Sequence, residues 1–197
     1  MAFAKAIEVR PDDGGLWLAR GRCHTRKGEW DKAAAAYARA VRSPAAEDYD
    51  LHVFLEQGSV QILAGDGKGY GATCANLCER FGRKEDAETA YIVARTCALA
   101  PASEAETLRA AGLAKQALAG KLPDKNYEAA ALHVLGLAHY RTGQFEEAVR
   151  RLRQSLAPGL GWIGASLNWP VLALAHHRLG HHEEAGRWLE KSRALRR

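Results

Sequence analysis

The sequence of 197 residues contains only six prolines, four cysteines and one methionine, and aromatic residues make up 8% of it. Alanine and leucine dominate while valine and isoleucine are scarce, so the composition favours helices over sheets. No uncharged run approaches the length of a membrane span. The first eight residues carry charges where a signal peptide would have its apolar core, so we expect a cytoplasmic protein with reduced thiols.

Signatures of catalysis are absent as well. No Ser/His/Asp order, paired-carboxylate motif or protein-kinase motif occurs in a supporting context. The glycine-rich run from Gly65 to Gly69 lacks the spacing of a phosphate-binding loop and the strand that precedes one. We interpret it as a flexible turn between helices. The sequence therefore predicts a protein that is not an enzyme and needs no cofactor.

The charge balance is mildly basic. Lysine and arginine outnumber aspartate and glutamate by 28 to 23, which gives a formal net charge of +5. The basic residues are spread along the chain, apart from a short cluster at Arg193, Arg196 and Arg197. A nucleic-acid interface needs a concentrated basic patch, so we expect no nucleic-acid partner and only weak attraction to acidic proteins.

One short phrase occurs three times in the sequence. It reads Gly-Gln-Phe-Glu-Glu-Ala from Gly143, and related copies begin at Gly28 and Gly180. Each copy lies between two apolar runs with helical spacing, which predicts two short helices joined by a glycine turn. A hairpin that recurs in this way indicates a repeat array rather than a single globular core.

The first complete repeat carries a more specific pattern of small and large residues. In order along the chain, the positions that define it are Trp17, Gly21, His24, Ala33, Tyr37, Ala40 and Pro44. This spacing resembles the signature of the tetratricopeptide (TPR) repeat, although Arg20 occupies a position that is usually leucine. The resemblance implies an all-α fold, a TPR-like right-handed solenoid of antiparallel helix pairs.

We expect one such array over residues 1–197. Residues 1–11 are predicted to form a half repeat, as at the edge of a larger protein. The five repeats that follow are predicted at 14–44, 47–82, 84–120, 126–157 and 162–197, of which the second and third are degenerate. In the third, Ser103 and Glu106 predict a capping box at the start of a helix. In the fifth, Pro170 predicts a late start of the first helix.

Longer phrases narrow the resemblance. The segments that carry it are 17–23, 77–82, 94–101 and 167–180. They are similar to bacterial proteins in which TPR arrays form the C-terminal part of large serine/threonine protein kinases or WD40-repeat proteins. This resemblance implies a non-catalytic interaction module of a signalling protein.

A binding surface is expected on the first helix of each hairpin, since the resemblance implies that these helices line a concave, peptide-binding groove. The register of the residues just after Gly21 selects seven candidates: Arg22, Arg26, Arg95, Tyr140, Arg141, His177 and Arg178. Forked arginine contacts would suit an acidic segment or a C-terminal carboxylate. The alternative is that these are ordinary solvated side chains whose stems cover apolar surface.

The histidines at 176, 177, 181 and 182 form a cluster that could bind zinc or nickel. However, Gly180 interrupts the helix between them, and His176 and His182 occupy packing positions of the repeat. The cysteines Cys74 and Cys97 occupy packing positions too, so we predict small buried hydrophobic residues there. We therefore predict no metal, and keep a metal-binding protein as a weak alternative.

The favoured hypothesis is a scaffold that binds a protein or peptide in its groove, with no membrane contact. A structural module that associates with itself through uncapped terminal helices is the alternative. The scaffold hypothesis predicts that the molar mass measured by light scattering is that of one chain at every concentration. A mass that rises with concentration would favour self-association instead.

Overall fold

The computed structural model describes residues 2–43, 51–101, 103–157 and 162–194. Their regular secondary structure is entirely helical, which confirms the predicted all-α class. No helix among these residues is long and apolar enough to cross a membrane.

The helices pair in the order expected for hairpins. They are α1 (Ala2–Val9), α2 (Gly14–Arg26), α3 (Trp30–Ala40), α4 (His52–Leu63), α5 (Gly67–Phe81), α6 (Ala87–Cys97), α7 (Glu104–Ala119), α8 (Lys125–Arg141), α9 (Phe145–Ser155), α10 (Asn168–Arg178) and α11 (His182–Arg193), with a 3₁₀ turn at Ala165–Leu167. The chain divides into unit 1 (residues 1–80) and unit 2 (residues 81–197). Helix α3 packs on α4 in unit 1, and in unit 2 α7 packs on α8 and α9 on α10.

Four glycine turns connect helices within hairpins, and all four were predicted. Gly28, Gly65, Gly143 and Gly180 have φ values of +70°, +73°, +78° and +77°, a region that side chains with a Cβ atom disfavour. In each turn, the N–H of the next residue donates to the carbonyl five residues back, as Glu29 does to His24 at 3.0 Å. This is the Schellman arrangement, which satisfies carbonyls at the end of the first helix and reverses the chain.

A histidine reinforces three of these turns through its side chain. His24 Nδ1 contacts the Glu29 carboxylate, and His139 Nδ1 lies 2.9 Å from Gln144 Oε1. In the last hairpin, His176 Nδ1 lies 3.3 Å from His181 Nδ1, so one ring donates to the other. The histidine therefore bonds to its turn through both its carbonyl and its ring.

Small residues let the paired helices approach closely. A Cβ atom built on Gly21 would lie 3.1 Å from the Tyr37 ring, and one on Gly136 would lie 2.7 Å from Leu152 Cγ. Ala33 and Ala148, at the matching position of the second helix, are both fully buried. The small positions set the distance between helices, and the large side chains opposite them fill the space.

Buried polar groups connect α8, α9 and α10 in unit 2. The Asn168 side chain is fully buried, and its amide nitrogen donates to Ser155 Oγ at 3.0 Å. Ser155 Oγ in turn donates to the Ala129 carbonyl at 2.7 Å, and His133 Nδ1 lies 2.9 Å from Asn168 Oδ1. Because each group has a partner, the network fixes how these three helices stack.

Two local predictions are wrong, and one is confirmed. Helix α10 was predicted to start late but begins at Asn168, before Pro170. Pro170 is tolerated there because N–H groups in the first turn of a helix have no intrahelical acceptor, so the proline costs no hydrogen bond. Gly67 to Gly69 are the first turn of α5, not a flexible turn, since the Asp66 carboxylate accepts the Gly69 N–H at 2.8 Å. The capping box at Ser103 is present at the start of α7.

The close approach at Gly136 can be tested by adding one methyl group. We expect Gly136→Ala to lower the melting temperature, because its Cβ would overlap Leu152 and overpacking costs about 1–3 kcal/mol. Gly112→Ala in α7 is the matched control, since nothing lies within 4 Å of its added Cβ. It should raise the melting temperature through helix propensity, by about 1 kcal/mol. Equal melting temperatures for the two variants would contradict the packing argument.

Candidate functional site

In unit 1 the first helices of two hairpins, α2 and α4, form the walls of a cleft of about 430 Å³. Leu55, Val60 and Leu63 supply its apolar surface, and Arg22 and Arg26 lie on its edge. The Leu63 side chain is 57% exposed, a large fraction for an aliphatic residue. We call this the unit-1 face.

Arg22 is held by a carboxylate from the opposite wall. Its Nε and one terminal nitrogen donate to the two oxygens of Glu56 at 2.9 and 2.8 Å, and the Tyr37 hydroxyl donates to Glu56 at 2.7 Å. The bond to Glu56 raises the pKa of Arg22. Burial, and next the bond to Glu56, raise the pKa of Tyr37 to about 12. The three side chains tie α2, α3 and α4 together.

This geometry separates the two arginines predicted for unit 1. The fork of Arg22 is engaged within the chain, so a partner's carboxylate would have to compete with Glu56 for it. Arg26 is exposed, and no residue in the described part of the chain forms an ion pair with it. Arg26 is thus the cation of the unit-1 face that is available to a ligand.

In unit 2 a second face carries Arg95 and Arg141 around His133. Arg95 donates to the Tyr91 hydroxyl at 2.9 Å, and the His133 ring contacts the Trp162 ring with centroids 5.1 Å apart. Burial lowers the pKa of His133, and the positive charges of Arg95 and Arg141 lower it further. The two arginines therefore create a positive potential at one neutral histidine. We call this the unit-2 face.

Of the remaining predicted residues, Tyr140 and Arg178 lie near the turn between α8 and α9, and His177 lies at the turn between α10 and α11. Tyr140 and Phe145 have ring centroids 5.7 Å apart, and the Arg178 guanidinium lies 5.1 Å from the Phe145 ring. His177 packs against His182 with ring centroids 5.5 Å apart. Arg178 and His177 are exposed, whereas Tyr140 is half-buried. Tyr140 and Arg178 meet on Phe145, and His177 forms its own ring pair.

Sequence reasoning missed several residues of both faces. Leu55, Glu56 and Leu63 were not selected in unit 1, and His133 and Trp162 were not selected in unit 2. The signal for His133 was available, because it lies three residues before Gly136 as Leu18 lies before Gly21. Trp162 lies in a connection between hairpins, where the repeat register makes no prediction.

The histidine cluster divides into two ring pairs, and of the two histidines predicted at packing positions, His176 is buried and His182 is exposed. His176 is buried and bonded to His181, and His177 packs on His182. Within the described residues, no three His, Cys, Asp or Glu side chains are placed to hold one metal ion. Cys74 and Cys97 are buried as predicted, and all four cysteines are thiols.

The fold and its repeated turns define a class, the proteins built from tandem helical hairpins. Family models described as tetratricopeptide repeat match residues 2–48 and 131–161. The chain therefore contains tetratricopeptide repeats over these residues. No curated protein matches the sequence.

Solved structures share the fold at low sequence identity. A crystal structure of MamA protein has a TM-score of 0.55 and 19% identity, and the alignment covers 92% of this chain and 91% of that one. YrrB, a TPR protein with an unusual peptide-binding site, has a TM-score of 0.53 and 16% identity over 98% of this chain and 91% of its own. A chain of the APC/C hetero-tetramer Cut9–Hcn1 has a TM-score of 0.65 and 19% identity, and the alignment covers 98% of this chain and 35% of that one.

The bond between Tyr37 and Glu56 predicts an unusual titration. Because the folded-state pKa of Tyr37 is about 12, its hydroxyl should ionise well above the usual value near 10. Subtracting the ultraviolet titration curve of the Tyr37→Phe variant from that of the wild type isolates the ionisation of this hydroxyl. Because its pKa is raised on folding, its contribution to stability is present below pH ~10 and lost as the pH rises towards 12. Ionisation of Tyr37 near pH 10 in the folded protein would contradict the geometry.

Proposed function

We propose that this chain is a non-catalytic protein-interaction scaffold that binds an acidic peptide segment on the first-helix faces of its hairpins. The proposed setting is a signalling protein in the cytoplasm, which the resemblance to kinase-associated and WD40-associated arrays supports. The single observation that carries the proposal is the positive charge that Arg95 and Arg141 place near His133 on the unit-2 face.

The charge on the unit-2 face favours a partner carboxylate. Arg95 is half-buried and donates to the neutral Tyr91 hydroxyl, a bond that leaves its positive charge uncompensated. Burial lowers the pKa of His133, and because its Nδ1 donates to Asn168 Oδ1, the neutral ring has only Nε2 left, as a hydrogen-bond acceptor. An acidic side chain placed between the two arginines would gain charge-assisted hydrogen bonds in a partly desolvated site.

Exposed apolar side chains supply the other half of a peptide-binding surface. Leu174, four residues before Arg178 on α10, is 50% exposed, and Leu99 just after α6 is 39% exposed. The Trp162 ring, half-buried against His133, adds an aromatic surface. Tryptophan and arginine are among the side chains that most often dominate binding energy at interfaces, and the apolar residues around them exclude water.

The unit-1 face has the same combination on a smaller scale. Arg26 is its available cation, and Leu63 is its exposed apolar residue. Among proteins of similar fold, YrrB is described as having a peptide-binding site, and Cut9 is part of a complex with Hcn1. These neighbours support a scaffold, while the acidic partner is inferred from the side chains of this chain.

Charge reversal on the unit-2 face tests the proposal. Peptides of 12 residues would first be selected from a random display library on the wild-type chain. We expect the selected peptides to be rich in aspartate and glutamate, and Arg95→Glu with Arg141→Glu to weaken them at least tenfold. The reason is that each carboxylate would then face a negative charge instead of a forked arginine. Fluorescence anisotropy with labelled peptides measures the change.

The matched control changes the same number of charges elsewhere. Arg109→Glu with Lys115→Glu lies on the exposed side of α7, a second helix of its hairpin, and should leave the affinity within about twofold. Circular dichroism would verify that both double variants keep the helical content of the wild type. Peptides that bind both variants equally well would contradict the assignment of the unit-2 face.

A further inference from the structure

Unit 1 contains a second cleft, of about 360 Å³, between α3, α4 and α5. Its lining includes the second helices α3 and α5, so it is distinct from the unit-1 face, which α2 and α4 form. Ala38, Val41 and Phe54 provide apolar surface, and Gln57 and Gln61 lie in its floor. A volume of this size is at the lower end of the range for small-molecule sites, about 300–1,000 Å³.

The floor contains a buried acceptor without a partner. Gln57 is only 4% exposed, yet its Oε1 forms no hydrogen bond with any described residue. An unsatisfied buried carbonyl costs about 1–3 kcal/mol, so an amide retained at this place needs a reason. Leucine occupies the same position in the fourth repeat, at Leu135, where it fills the core. The first repeat has Arg20 at this position, so Gln57 is a second departure from the leucine that the repeat usually carries there, and it is the buried one.

Beside Gln57 the polar groups are held in place. The Thr73 hydroxyl donates to Gln61 Oε1 at 2.9 Å, which fixes the Gln61 amide with its nitrogen turned away from Thr73. Gly69 leaves the space for these groups, because a Cβ there would lie 2.0 Å from Asp66 Oδ2 and 2.9 Å from Gln61 Nε2. Asp66 Oδ1 is bonded to the Gly69 N–H, so Oδ2 is the carboxylate oxygen available to a ligand.

The edge of the cleft carries charges of both signs. Asp66 contributes a carboxylate and Arg42 a guanidinium, and both side chains are exposed. No residue in the ranges that the structure describes forms an ion pair with either of them. The cleft therefore offers hydrogen-bond acceptors at Gln57 and Asp66, a cation at Arg42, and an apolar wall between α3 and α4.

We propose that this cleft binds a small zwitterion of the amino-acid type with an aliphatic side chain. The ammonium group donates to Gln57 Oε1 and Asp66 Oδ2, and the carboxylate pairs with Arg42. The aliphatic side chain packs on Val41 and Phe54. Binding satisfies the buried acceptor once the Gln57 side chain turns towards the ligand, while the Thr73–Gln61 bond keeps the rest of the floor ordered.

Isothermal titration calorimetry of the full chain with L-leucine and with L-valine tests this assignment. We expect saturable binding of one molecule per chain by at least one of them. N-acetyl-leucine lacks the ammonium group and leucine amide lacks the carboxylate, so each should bind at least tenfold more weakly than leucine. Absence of saturable binding by both amino acids, or equal binding of the blocked derivatives, would overturn the proposal.

Variants of the floor locate the site. Gln57→Leu removes the acceptor and should weaken binding at least tenfold without lowering the melting temperature, since it also removes an unsatisfied buried group. Gly69→Ala should weaken binding because its Cβ displaces Asp66 and Gln61. Gly71→Ala, on the same helix with nothing within 4 Å of its added Cβ, is the matched control and should bind as the wild type does. Unchanged affinity in Gln57→Leu, in a variant that remains folded, would show that the cleft is not the site.

Discussion

The structure depends on one repeated hydrogen bond, from the residue after a left-handed glycine to the carbonyl five residues earlier. This bond ends the first helix of a hairpin and aims the second helix back along it. It occurs at Gly28, Gly65, Gly143 and Gly180, with donor–acceptor distances between 2.8 and 3.0 Å. Where a histidine supplies the carbonyl, its ring adds a second bond to the same turn. The two helices of a hairpin can pack against each other only because the chain reverses its direction at this turn.

Once the turn is made, the sizes of facing side chains decide how closely two helices approach. Gly21 lies under Tyr37 and Gly136 lies under Leu152, so each hairpin combines a small residue with a large one. Between hairpins the stacking uses polar groups as well. Tyr37 and Arg22 meet on Glu56, and Asn168 joins Ser155 to His133. Apolar packing holds each pair, and these satisfied polar groups specify how the next pair is placed.

The surfaces proposed for binding are formed by positions that the repeat does not need for helix packing or for its turns. On the unit-2 face, Arg95 and Arg141 follow positions needed for packing by one or a few residues, and they are not needed for the turn. In the second hairpin, the degenerate sequence replaces a packing residue with Gln57 and a large turn residue with Gly67. A repeat that departs from its own pattern thus acquires a polar cleft, where the fourth hairpin has Leu135 and Phe145 at the equivalent positions.

The sequence by itself determined the helical class, the four glycine turns, the capping box at Ser103 and the burial of Cys74 and Cys97, because each depends on residues close together in the chain. The seven groove residues followed from register alone, and that they bind a partner stays a prediction. Only the tertiary structure decided that Glu56 occupies the fork of Arg22, that the charge of Arg95 on α6 acts on His133 of α8, and that Gln57 is buried without a partner. These facts depend on side chains from different helices, whose separation along the chain is 34 residues for Arg22 and Glu56. Local spacing cannot encode such distances, since they follow from how one hairpin stacks on the next.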